Sequence, residues 1–398
     1  MNSGASPSSL NDRQNFSAEP TESAPASPRV ESRRIGVFVG VVLTILLSAN
    51  AFVCATWSHF FGLPGWLWGQ FIPGSVIVAF TLSTIAGFRS ANPLIPVVYA
   101  VSASWLGILN FAFFAAVGCW VVDSAAWVIR SPVPPFDIGA VLFGAAFVAA
   151  AWGLINAAWL RVTRVTVALP NLPKAWRGRT VALVTDLHLG RVARPGFLRR
   201  VVTRLRSLNP DAVFVSGDMF DGSPVGVNEL VAGWQGFSPA RGVYYIAGNH
   251  DEFVDRSIFL DAVSRTGVRV LNNEKVSVDG LQIVGVHDSE AADPGELREI
   301  LGRARLAPAL PSVLLAHRPV NLAVAEEAGI SLQLSGHTHH GQMWPWNFLV
   351  RRIYGPFAYG LHRLRTMWVY TSSGAGTWGP PVRVGTKSEI VLIRLEKA

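Results

Sequence analysis

The sequence predicts an α/β protein carried on membrane helices, with about four transmembrane segments followed by a domain of short strands alternating with helices or loops. Three observations predict it. Four apolar blocks of bilayer length fill residues 35–160. From about residue 161 the pattern changes to apolar runs of four to seven residues. Five of those runs lead directly into segments rich in Asp, Asn and His, as expected where an open sheet presents ligands beyond the carboxyl ends of its strands.

Half of the residues are hydrophobic and only 15% are charged, with a mean hydropathy of +0.33, which is too apolar for an average soluble protein. Residues 1–34 are rich in Ser, Pro, Ala, Asn and Glu and hold almost no large apolar side chain. Such a segment cannot bury enough surface to offset its ordering entropy, so a disordered tail is expected there. The apolar blocks run from Ile35 to Trp57, Leu67 to Phe88, Leu94 to Val122 and Ile138 to Leu160. A bilayer core needs about 20 apolar residues per helix. The first block starts too late and runs too long for a cleaved signal. Trp57, Trp66, Trp68, Trp120, Trp127 and Trp159 stand near block ends, where an interfacial aromatic belt is expected.

The basic residues orient the bundle. Arg29, Arg33 and Arg34 precede the first block, Arg89 follows the second, and Arg161, Arg164, Lys174, Arg177 and Arg179 follow the fourth. The opposite loops offer only Arg130, with Asp123 nearby. The positive-inside bias predicts an inner-membrane protein whose N-terminus and C-terminal domain both face the cytoplasm. The formal charge of +8 suits a phosphorylated substrate, anionic lipid or nucleic acid without choosing among them. Cys54 and Cys119 lie in apolar blocks and have no metal-ligand spacing, so no disulfide framework is expected. Asn50, Asn110 and Asn156 are too few polar groups in the blocks to argue an ion path.

In the second half, strands are expected over 162–168, 180–185, 212–216, 243–247, 281–286, 312–316, 330–334, 368–371 and 389–395, with a helix over 194–208. The ligand-bearing segments are Asp186-Leu187-His188, Gly217-Asp218, Gly248-Asn249-His250-Asp251, His317 and Gly336-His337-Thr338-His339. Each has a plain reading when taken alone. An Asp-x-His triplet arises by chance, and Gly-Asp is a common turn dipeptide. Gly-Asn-His-Asp suits a turn with a helix cap, and a lone His317 suits a satisfied core position. After an extended strand, the i and i+2 spacing of Asp186 and His188 would put both side chains on one side. Together, in this order and each at a strand end, the five segments read as one metal site. Oxygen and imidazole donors without thiolate favour Mn, Fe or Zn, and the chemistry expected is metal-dependent hydrolysis.

These segments resemble the calcineurin-like metallophosphoesterases, whose pattern is Asp-x-His, Gly-Asp, Gly-Asn-His-(Asp/Glu), a lone His, then Gly-His-x-His. The resemblance covers roughly residues 162–398. The segments Gly376-Thr377-Trp378-Gly379-Pro380-Pro381 and Leu271-Asn272-Asn273-Glu274 are similar to the branch that includes the YkuE and YaeI phosphoesterases. The layout is similar to the transmembrane proteins with a metallophosphoesterase domain. The resemblance implies a four-layer αββα sandwich over residues 161–398, behind a four-helix membrane region over 35–160. It also implies two divalent metal ions. Asp186, His188, Asp218 and His339 would hold one, and Asp218, Asn249, His317 and His337 the other, with Asp218 bridging. His250 falls on the family's catalytic histidine, with Asp251 as its orienting partner. His287 and His340 stand where an acidic and a small residue are common in the family.

Residues 343–365 interleave Met343, Trp344, Trp346, Phe348, Tyr354, Phe357 and Tyr359 with Arg351, Arg352, Arg363 and Arg365. That mixture suits an anionic lipid head group at a membrane interface, or a packed loop over the sheet edge. Base stacking on nucleic acid is the least favoured use. The expected function is a membrane-anchored hydrolase acting on a phosphoester or pyrophosphate bond, with a lipid-linked substrate as one candidate. The resemblance makes UDP-2,3-diacylglucosamine, which relatives hydrolyse, the most concrete one. A broad phosphodiesterase or phosphatase is the alternative enzyme. A non-catalytic membrane sensor or scaffold is the alternative of another class, and the complete ligand set argues against it.

Overall fold

The structure, a computed structural model, describes residues 28–63 and 66–398, with side chains over 36–63 and 71–398. The expected tail lies outside the described residues up to residue 27. From Pro28 the backbone is already helical, ahead of the first apolar block. Four helices follow, α1 (Pro28–Phe61), α2 (Trp66–Gly87), α3 (Leu94–Val128) and α4 (Pro135–Ala158). Among the residues described with side chains, α1, α3 and α4 are long and apolar enough to cross a membrane. The second expected span falls on α2, whose 22 residues rise about 33 Å against a hydrocarbon core of about 30 Å. The outer faces of α3 and α4 leave Val101, Val121, Val141, Val148 and Ile155 exposed, a surface suited to lipid and not to water.

Residues Leu46–Ala398 form one compact unit. Within it α4 ends at Ala158 and strand β1 (Leu160–Leu169) starts two residues later. The remaining strands are β2 (Thr180–Val184), β3 (Ala212–Ser216), β4 (Val243–Ile246), β5 (Arg269–Val270), β6 (Glu274–Val278), β7 (Leu281–Gly285), β8 (Ser312–Leu315), β9 (Leu332–Ser335), β10 (Gly360–Leu364), β11 (Met367–Thr371) and β12 (Ser388–Lys397). They form two six-stranded sheets, ordered β1-β12-β2-β3-β4-β5 and β10-β11-β9-β8-β7-β6. The central neighbours β2-β3-β4 and β7-β8-β9-β11 are parallel, so their carboxyl ends point the same way within each sheet.

Side-chain alternation builds the layers. Val181, Leu183 and Phe214 of the first sheet meet Ile283, Val313, Leu315 and Leu334 of the second in one buried core. The alternate residues Ala182, Val184, Val213 and Val215 pack outward on Leu198, Val201 and Leu205 of the Pro195–Leu208 helix and on Phe259 and Val263. On the other side Val284, Leu314 and Val369 pack on Leu297, Ile300, Leu301 and Val324. Helices outside two packed sheets give the αββα order.

Three strands escaped the sequence reading, namely β5, β6 and β10. All three are sheet edges. Edge strands carry charge and short length to avoid further pairing, so their apolar signal is weak. Glu274-Lys275 and His362-Arg363 are the residues that hid them.

A candidate dinuclear metal centre

The ligand-bearing residues leave their strands at the same edge of the sandwich and turn sharply. Asp186, His188, Asp218, His337 and His339 all have positive φ, between 46° and 68°. Left-handed backbone costs a non-glycine residue of order 1–3 kcal/mol, and Asp, Asn and His tolerate it best. The turns are held by main-chain bonds between loops, Asp186 N–H to the Gly217 carbonyl (3.1 Å) and His188 N–H to the Asp218 carbonyl (3.1 Å). Asp186 and His188 therefore converge through a left-handed loop beyond β2. The extended i, i+2 alternation expected from the sequence is not the cause.

The glycines of the motifs clear space for the donors. Gly217 sits at φ 87°, and a Cβ there would lie 2.6 Å from His317 Nδ1 and 2.8 Å from the Gly248 Cα. A Cβ on Gly336 would overlap the Thr185 hydroxyl and the Asp186 carboxylate. The Gly-Asp pair is more than a turn dipeptide, because it lets three loops meet.

At the centre is Asp218, buried, with its two oxygens divided between tasks. Oδ1 accepts the His250 backbone N–H at 2.9 Å. Oδ2 lies 3.1 Å from His317 Nε2 and 3.7 Å from His188 Nε2. On one side of it His188 Nε2 and His339 Nε2 are 3.0 Å apart, and His339 Nε2 is 3.5 Å from Asp186 Oδ1. On the other side His317 and His337 pack at 5.2 Å between ring centres, and His337 Nδ1 is 2.8 Å from Asn249 Oδ1. Two donors that each stand about 2.1 Å from one ion are about 3.0–3.4 Å apart at right or tetrahedral angles. The donor spacings fall around that range. Asp186, His188 and His339 form one group able to hold a metal ion, and Asp218, His317 and His337 another.

Protonation fits the same reading. His317 donates Nδ1–H to the Ser216 carbonyl at 2.8 Å, which turns Nε2 towards Asp218 Oδ2. Nε2 nevertheless makes no hydrogen bond of proper geometry there. Burial holds His188 down at about 3 and His337 at about 4, so both present neutral, ligand-ready imidazoles. Burial also opposes charge on His317, yet the neighbouring Asp218 and Asp186 carboxylates prevail and push it up to about 10. Burial, with Asp218 beside it, raises Asp186 to about 6. The two carboxylates thus call for positive charge at this place.

His250 is buried beside this cluster, with ring centres 4.8 Å from His188 and 4.3 Å from Phe253. With His188 and Asp218 it forms a third group of ligand-capable atoms. Asp251 does not make the orienting contact expected of it. Its carboxylate accepts backbone N–H bonds from Gly248 (2.9 Å), Phe220 (2.9 Å) and Met219 (3.2 Å), tying the β3 and β4 loops together. His287 is likewise structural, since its Nδ1 accepts the Ala247 N–H and its Nε2 is 3.0 Å from Asn272 Oδ1. His340 stacks on Tyr359 at 4.4 Å.

A cleft of about 530 Å³ opens on Asp218, Asn249, His250, His337 and His339. The rest of its lining is largely apolar, with Phe253, Met343, Trp346, Val350, Trp378 and Pro380. Trp346 and Val350 belong to the helix Trp346–Tyr354 and share one face of it. That helix has no buried residue, and Phe348, Leu349 and Ile353 are exposed. Trp346 Nε1 donates to Asn110 Oδ1 of α3 (2.9 Å), Asn110 Nδ2 donates to the Trp344 carbonyl (3.1 Å), and the Trp344 ring meets Phe114. The aromatic-basic stretch is neither a fully packed loop nor a free tail. It is a half-exposed helix fastened to a membrane helix. The sequence reading set this stretch against a lipid head group or as a packed loop, and Trp346 and Val350, four residues apart, bring it to the cleft.

The calcineurin-like phosphoesterase family matches residues 179–341. An uncharacterized metallophosphoesterase of Campylobacter jejuni is 34% identical over 239 residues, covering 59% of this chain and 63% of that protein. The transmembrane protein with metallophosphoesterase domain of Danio rerio is 33% identical over 270 residues, covering 63% and 61%. The Bacillus subtilis uncharacterized metallophosphoesterase YkuE is 24% identical over 251 residues, covering 60% and 86%. The chain spans about six tenths of the length of the first curated relatives it matches. Behind its apolar helices, this chain carries a segment, residues 179–341, that is similar to the calcineurin-like phosphoesterases.

Proposed function

We propose that this chain is a membrane-anchored phosphoesterase that hydrolyses a phosphoester or pyrophosphate bond of a lipid-linked substrate. The observation that carries this reading is the cleft, which metal-ready donors and apolar side chains line together, with its Trp346 helix fastened to Asn110 and Phe114 of α3. Asp186, His188, Asp218 and His339 would hold one divalent ion, and Asp218, Asn249, His317 and His337 a second. Two such ions, when bound, supply an activated water and neutralise phosphoryl oxygens. The chain's own residues divide the remaining work. His250 sits at the cleft wall to hold or deliver a proton at the leaving oxygen. Phe253, Trp378 and the Trp346–Tyr354 helix exclude water and take up an apolar substrate tail. Arg351 and Arg352 lie at the end of that helix, where they suit an anionic head group.

The test is turnover by the purified full chain in lipid nanodiscs with Mn²⁺, against nitrophenyl monoesters, nitrophenyl diesters and lipid pyrophosphates. Lipid substrates should be preferred. Replacing Val350 and Trp378 together by Ala should cut lipid turnover roughly tenfold or more, because remote apolar contacts aid only substrates that possess the matching part. A small diester should be little affected. Equal loss on both substrates would favour the broad phosphodiesterase reading.

The same reading places the catalytic domain on the cytoplasmic side. Arg89 and the Arg161–Arg179 cluster support it, and both lie at the catalytic end of the bundle. There the Ser223 hydroxyl donates to the Gly87 carbonyl (2.7 Å), and Arg191 stacks on Phe88 and Tyr99. A periplasmic-activity reporter fused after Ala398 should be silent. A strong signal would overturn the orientation.

A further inference from the structure

One fully buried cation takes no part in the chemistry above, and it stands behind a metal ligand. Arg383 is wholly shielded from solvent, and among the described residues its guanidinium forms no ion pair with a carboxylate. Nη2 donates to the carbonyls of Ser373 (2.5 Å) and Gly376 (2.7 Å), and Nη1 donates to the carbonyl of His339 (3.3 Å). Nη2 also stands 3.2 Å from His339 Nδ1, while Nε2 of that ring faces His188 at 3.0 Å. The guanidinium therefore blocks the imidazole from turning away from the metal position.

The backbone of the same residue is bound to the membrane bundle. Arg383 N–H donates to the Gly153 carbonyl of α4 at 2.9 Å. Its own carbonyl accepts from Asn156 Nδ2 at 2.8 Å, and the same amide donates to the Thr386 carbonyl at 2.9 Å. Asn156 is a buried polar side chain near the end of a largely apolar helix, a placement that is costly unless its donors are used. Beside it Val382 seats in a notch between two helices. A Cβ on Gly107 of α3 would lie 2.6 Å from one Val382 methyl, and a Cβ on Gly153 of α4 would lie 2.5 Å from the other. The segment that runs from this key to the cluster also touches Asp186 directly, since Gly376 N–H donates to the Asp186 carbonyl at 2.8 Å.

We propose that Arg383 is the positioning residue of the metal ligand His339, and that Gly153 and Asn156 hold Arg383 in place, making α4 a structural part of the metal centre. This rests on the reading of His339 as a ligand. Partners that orient a metal ligand typically change affinity by about 10–100-fold when lost.

The experiment counts Mn²⁺ per chain by equilibrium dialysis of the full chain in nanodiscs and records the Mn²⁺ electron paramagnetic resonance spectrum. Wild type should bind two ions and give a spin-coupled signal. Binding of none would overturn the metal reading of the site itself. Asn156→Leu keeps the helix apolar and removes both donors. It should weaken one ion about 10–100-fold, leave the other unchanged and convert the spectrum to a mononuclear signal. Gly153→Ala should do the same by displacing Val382, and adding Val382→Ala should restore the second ion. Arg383→Met should show the largest selective loss. If that variant does not fold, the Asn156 and Gly153 variants decide. Two ions at wild-type affinity in both Asn156→Leu and Gly153→Ala, equal weakening of both ions, or no rescue by Val382→Ala would each overturn the proposal.

Discussion

Asp218→Asn should leave the sandwich folded and remove nearly all turnover, by well over the roughly 100-fold that loss of a ligand's supporting partner can cost. The substitution keeps size and shape, and the side-chain oxygen can still accept the His250 N–H that Oδ1 accepts now. What disappears is the anionic Oδ2, the atom within reach of both His317 and His188. An amide nitrogen in that place has no lone pair to offer a cation. Metal content should fall together with rate. Activity near wild type at saturating metal would refute the bridging role.

His250→Ala should give the opposite pairing, with two ions retained and turnover reduced about 10²–10⁴-fold, the usual worth of a positioned acid or base. Its nearness to His188 and Asp218 leaves a ligand role geometrically open, so metal content must be measured beside rate. Loss of an ion would make it a ligand. Burial lowers the pKa of this ring, so its protonated form is gained only as pH falls. If the ring protonates the leaving oxygen, turnover of the wild type should decline as pH rises, and His250→Ala should lack that limb. A pH profile shared by both proteins would assign the proton to another group.

The sandwich half was legible because buried parallel strands are continuous apolar runs, and because an Asp, Asn or His at the end of such a run has little structural reason to be there. That logic singled out Asp186, Asp218, Asn249, His317, His337 and His339, which the fold brings together, without contact information. It could not find how they converge. The left-handed turns at Asp186 and His188 arise from pairing between loops distant in sequence, which no local pattern encodes. Asp251 was misjudged for a similar reason. Adjacency to His250 suggested a partner, whereas the carboxylate is taken by amides of the β3 loop. Arg383 was invisible because an arginine after Pro-Pro-Val reads as surface charge, and only the assembled fold buries it.

The junction between Ala158 and Leu160 has a consequence for how substrate is met. Membrane helix α4 passes into β1 with only Trp159 between them. β1 is then paired along its whole length with β12, while Ser388 bonds the last turn of α4. Such a joint has no slack. On the proposed membrane-anchored reading, the cleft would be carried at one height and one tilt above the lipid surface, and its search would be two-dimensional, by lateral diffusion of the whole molecule. A freely dissolved phosphoester would have to come to it. The proposed lipid-linked substrate would already be in its path where its head group projects to the same height, and one that projects too far or too little would be excluded before any side chain has to discriminate.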